Sequence, residues 1–101
     1  MTGTAIPASA LPADVRPYHR TAIFTQDTVP AALLKAHSTK PGVWGLIHVL
    51  EGQLRYVIVD ERRAATETIL VADGPPGVVE PEILHHVEPL QAVRFCVEFH
   101  R

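Results

Sequence analysis

Four histidines and two carboxylates are the side chains whose types and spacing could do chemistry here: His37, His48, His85, His86, Glu82 and Glu98. Two or three neutral imidazoles, with or without a carboxylate, suit a divalent transition metal such as zinc, iron, nickel or copper. Ligands of one ion must converge from different strands, because neighbours along a strand point to opposite faces. In "HHVEP" this rule separates the adjacent pair. His85 shares a side with apolar Val87 and is the inward candidate, whereas His86 shares a side with Glu88 and faces out. The alternative for His85 is a strand-start histidine bonded to backbone. His37 precedes the Lys40-Pro41-Gly42 turn, which puts it at a rim where small barrels bind ligands, or in a plain surface loop. His48 lies mid-strand on the side of Trp44, Leu46 and Leu50. His19 and His100 lie near the ends of the ordered chain and are expected to be solvated. Glu82 or Glu98 could supply a carboxylate, although a turn and a polar strand face explain them equally well.

These residues must be held by a β-rich chain. "PYHRTAIF" opens the ordered part. Asp27 or Thr28 can cap one or two helical turns through Ala31–Lys35, with Pro30 tolerated in the first turn. Val43–Leu50 and Leu54–Val59 are apolar runs joined by "EGQ", which reads as a hairpin. Thr66–Val71, Val78-Val79 and His85–Glu88 follow, separated by "ADGPPG" and "EPE". "PLQA" turns the chain again into Val93–Phe99, where Val93, Phe95, Val97 and Phe99 share one face. Short strands at this spacing argue for an all-β sandwich or barrel.

The 101 residues suit one domain, with residues 1–16 an apolar, proline-broken arm and 17–101 the folded unit. The net charge is −2, and no basic stripe with interleaved aromatics follows Arg62-Arg63, so nucleic acid is not an expected partner. No apolar run is long enough to span a bilayer. Cys96 is the only cysteine and no basic leader precedes the arm, which fits a cytoplasmic location. Strands apolar on both faces suggest a homodimer. Cys96 lacks an evident base, and "DGPPG" is a turn and not a phosphate cradle.

"HSTKPGVWGLIHVLEGQLRY", "VVEPEILHHVEPL" and "VRFCVEFHR" together resemble the tellurite-resistance protein B N-terminal-like family, also called YeaR-like, over residues 18–101. The resemblance implies a cupin-like double-stranded β-barrel, or jelly roll, with one short N-terminal helix. It also implies that His37 and His85 match the family's histidines and ligate a metal. Thr39 stands where the cupin pattern has a second histidine, and the cupin glutamate would fall near Trp44 or Gly45. Leu84 occupies a position often aromatic in relatives. The set would then be completed by water, Glu98 or another residue. In some relatives the domain precedes a methyltransferase that uses S-adenosylmethionine, and nothing in these 101 residues resembles that part.

The resulting expectation is a metal-binding cupin-like domain that binds or senses a small molecule or oxyanion, linked to tellurite or metal stress. One divalent metal (Zn, Fe or Ni) would sit on His37 and His85, with Lys40 and Arg94 near an anion. Two alternatives are a cupin-type metal-dependent oxygenase or isomerase and a metal-free dimeric interaction domain.

Overall fold

The computed structural model describes residues 11–101, so the first ten residues of the expected arm lie outside it. Six strands form one antiparallel sheet: β1 (Pro17–Arg20), β2 (Phe24–Thr25), β3 (Trp44–Ile58), β4 (Thr66–Val71), β5 (Gly77–Val79) and β6 (His85–His100). The expected N-terminal helix is a 3-10 turn, Ala31–Leu34, preceded by extended Pro30 and without a side-chain cap. The all-β expectation therefore holds. The sheet does not close, however. Its order is β1-β6-β3-β4, with β2 beside β6 and β5 beside β3, and this open path shows no closed cupin jelly roll. No described helix is long and apolar enough to cross a membrane.

Two expected turns, one of them read as a hairpin, are bends within single long strands. β3 runs through "EGQ", and β6 runs through "PLQA". The two pair with each other from Trp44↔His100 to Ile58↔His85, with register shifts around Glu51. Gly52 (φ 75°) and Gln91 (φ 59°) take left-handed backbone beside those shifts. A bulge of this kind bends a ribbon without ending it. A Cβ on Gly52 would collide with the carbonyl oxygen of Ala92, so the approach of the two strands at the bend requires glycine there.

The bend also changes which residues of β3 face inward. Ile47 precedes it and Leu54, Tyr56 and Ile58 follow it, and all four are buried in one core with Val87, Val93, Phe95 and Val97 of β6. A shift of one residue in alternation explains the switch from odd to even numbers. β4 flanks the second half of β3, β5 flanks the first half, and Tyr56 Oη donates to Val78 O at 2.8 Å across them. Burial raises the Tyr56 hydroxyl well above its ordinary range. The segment entering β1 is tied in as well, since Arg16 and Arg101 exchange backbone bonds at 3.1 and 3.0 Å. The boundary expected after residue 16 thus lies beside a paired residue.

Candidate ligand pocket

His37 and His85 meet because their backbones do. His37 N–H donates to His85 O at 3.0 Å, and His85 N–H donates to His37 O at 2.9 Å. Two residues that exchange both bonds are directly opposed in an antiparallel ladder, so their side chains leave on the same side. The rings sit 4.2 Å apart between centroids, tilted by 58°. Each ring is anchored in the same way. Nδ1 of His37 lies 2.9 Å from Lys35 O, and Nδ1 of His85 lies 2.9 Å from Ile83 O. A carbonyl only accepts, so Nδ1 carries the proton in both. In a neutral ring this leaves Nε2 as a lone pair. No hydrogen bond to either Nε2 occurs among the described residues. His85 is buried on the Val87 side, edge-on to the Tyr56 ring at 5.6 Å. Burial first, then the neighbouring His37, pushes its pKa down to about 4.

The segment leading into His85 is clasped by residues that the sequence reading passed over. Asp60 is buried, and its carboxylate accepts from Leu84 N–H at 3.0 Å and from Arg62 N–H at 2.8 Å. Arg62 Nε and Nη2 return to the same carboxylate at 2.9 and 2.8 Å, and Nη2 also donates to Glu82 O at 2.6 Å. The Arg62 guanidinium, more than the two backbone donors, holds the Asp60 carboxyl well below the usual carboxylate range. Glu82 sits at φ 67°, and its N–H donates to Thr39 O at 3.1 Å. The short spacing in "DER" was the available signal, since Asp side chains bond backbone two residues on.

The two imidazoles line a cavity of about 410 Å³. Its walls are Leu33, Val43, Ile47, Val79, Val87, Phe95, Val97 and Phe99, drawn from both halves of the bent ribbon. Tyr18, His19, Ser38, Thr39, Lys40 and Arg101 also line it. Arg101 lies 4.0 Å over the Tyr18 ring, and His19 stacks on Phe99. No Asp or Glu is among the described lining residues.

The remaining expected residues lie elsewhere. Glu98 and His48 are on the opposite face of β6 and β3. There Glu98 takes Arg20 at 2.6 Å and His100 at 2.8 Å, with His48 Nε2 3.8 Å away. Arg20 chiefly lowers the Glu98 pKa. His100 is thereby buried, not solvated. Glu82 is exposed in the clasped turn, whereas Thr39 lines the cavity with its Oγ1 donating to Val43 O. Arg94 turns outward to Glu51 at 3.2 Å, while Lys40 does line the cavity.

The TehB-like domain family matches residues 19–97. A Haemophilus influenzae (strain ATCC 51907 / DSM 11121 / KW20 / Rd) protein named probable S-adenosyl-L-methionine-dependent methyltransferase TehB is 32% identical over 74 residues, which are 72% of this chain and 26% of that protein. The crystal structure of TehB from Haemophilus influenzae superposes with TM-score 0.79 at 28% identity, over 87% of this chain and 32% of that one. A crystal structure of a protein from E. coli (strain K12) gives TM-score 0.78 at 26% identity, over 90% of this chain and 94% of that one. The chain thus spans about a quarter of the length of the curated relatives it matches.

These findings correct the expected metal centre. The matched relatives are named as methyltransferases that use S-adenosylmethionine, not as metal-binding cupins. Among the described residues no three His, Cys, Asp or Glu side chains gather to hold an ion. The physical reason is that His37 and His85 stand alone, because Glu98 and His48 project from the other face of the sheet and Glu82 stays in its turn. The Zn, Fe or Ni cofactor and the metal-dependent oxygenase or isomerase reading fall together.

S-adenosylmethionine does not fit the cavity either. Its ribose hydroxyls and sulfonium call for carboxylate partners, and the described walls bring none. Among the described residues every strand pair is antiparallel, and no strand-to-helix glycine turn of the nucleotide-binding kind is formed.

Proposed function

The chain belongs to the TehB-like domain family, and from that membership we propose that it holds a small organic molecule on behalf of a methyl-transfer reaction whose methyl donor is bound elsewhere. The observation that carries this reading is the cavity of about 410 Å³, mostly apolar in its walls, with His37, His85, Lys40 and Arg101 among the polar groups that reach it. Concave, mostly apolar sites with a few converging polar groups are the usual form of small-molecule sites. The names of the curated relatives supply the methyl-transfer context. The E. coli chain, matched over nearly its whole length, supports the reading of this β-domain as a unit able to stand alone.

Backbone NMR spectra of the purified chain, titrated separately with phenol and with S-adenosylmethionine, test the proposal. Phenol is expected to move the signals of His85, Val87, Phe95 and Val97, and S-adenosylmethionine is expected to leave them in place. Movement of those signals by S-adenosylmethionine would put the methyl donor in this cavity and overturn the reading. A lack of response to both would remove the ligand site.

A further inference from the structure

The anchoring of both imidazoles restricts what the cavity can hold. Each Nδ1–H is committed to a backbone carbonyl at 2.9 Å. The two rings therefore present acceptors, side by side with centroids 4.2 Å apart, to a space whose other walls are mostly aliphatic and aromatic, with Ser38, Thr39, Lys40 and Arg101 also on it. A hydrocarbon placed there would leave both acceptors without a partner, cut off from the water that could otherwise supply one. An ether would bring lone pairs against lone pairs at the imidazole pair, and a carboxylate or other oxyanion would do the same there and be drawn instead to Lys40 and Arg101. An ammonium head would find no carboxylate among the described walls, and would share the cavity with Lys40 and Arg101. The remaining class is a neutral head group that donates.

We propose that the cavity selects a molecule with a hydroxyl or thiol on an apolar body, and seats that donor where its one proton can go to Nε2 of His37 or of His85. This inference rests on the ligand-holding reading above and adds the chemistry of the ligand. Hydroxyl and thiol groups are also heteroatoms that can accept a methyl group, which accords with the context of the relatives. Phe95 and Val97 would cover the apolar body. Tyr56, edge-on to His85 with its hydroxyl committed to Val78 O, supports that ring without competing for the ligand.

Phenol, anisole and toluene share one ring and differ in the head group: a donor, an acceptor without a proton, and neither. Their dissociation constants are measured for the whole chain by NMR titration near neutral pH. Phenol is expected to bind at least tenfold more tightly than anisole or toluene, about the worth of one buried hydrogen bond. In His37→Phe, checked for native spectra, the preference for phenol should shrink severalfold while toluene binding persists. Equal affinities for the three compounds would overturn the selection rule and leave the ligand-holding reading intact. So would a phenol preference that survives in both His37→Phe and His85→Gln. No binding of any of them would overturn the ligand-holding reading itself.

Discussion

Which ring nitrogen carries the proton decides the chemistry of His85, and burial decides whether it takes a second one. The pKa falls from 6.5 to about 4 because the charged ring would be desolvated and would face His37. Between those values the unfolded chain binds a proton that the folded chain refuses. Stability is therefore lost as pH falls through that window, by up to about 3 kcal/mol. Urea midpoints taken across that range should decline in the natural chain, with a flatter decline in His85→Phe; parallel declines would show that His85 is not the group responsible. The inward position of His85 was legible from its alternation with Val87. Its partnership with His37 was not, because a backbone bridge between segments far apart in the chain leaves no local pattern. The same limit misplaced Glu98, whose polar strand face is a network with Arg20 and His100 and not the far wall of the site.

At the scale of elements, the strand content could be read but the strand count could not. Three residues with a glycine between apolar runs fit a hairpin turn as well as a bend. What distinguishes them is the partner strand, since β6 continues past the bend and pairs with both halves of β3. Gly52 is the residue that permits this. Gly52→Ala meets Ala92 O and must also hold φ near 75°, so it should lower unfolding free energy by at least 2 kcal/mol, roughly the strain of such a position plus the clash. Urea denaturation measures this directly, and a loss below about 0.5 kcal/mol, the range of an ordinary surface substitution, would mean that the bend does not depend on glycine. The Asp60–Arg62 clasp belongs to the same scale. It joins the end of β3 to the start of β6 and so sets where His85 begins.

For the whole molecule, one bent ribbon of β3 and β6 makes the cavity, and the segments beside it supply the rest. β5 brings Val79, the 3-10 turn brings Leu33, and the loop after it brings His37 and Lys40. The family resemblance picked out two histidines that the structure brings together, but carried a metal with it, because two imidazoles in a small β-fold match a cupin pattern until the third ligand is sought in space. Selection of a donating ligand requires both rings to be acceptors toward the cavity. Long-range proton–nitrogen NMR correlation of the imidazoles near neutral pH reads this directly. The account predicts Nδ1–H with unprotonated Nε2 for both His37 and His85. A proton on Nε2 of either ring, or a doubly protonated His85, would contradict it.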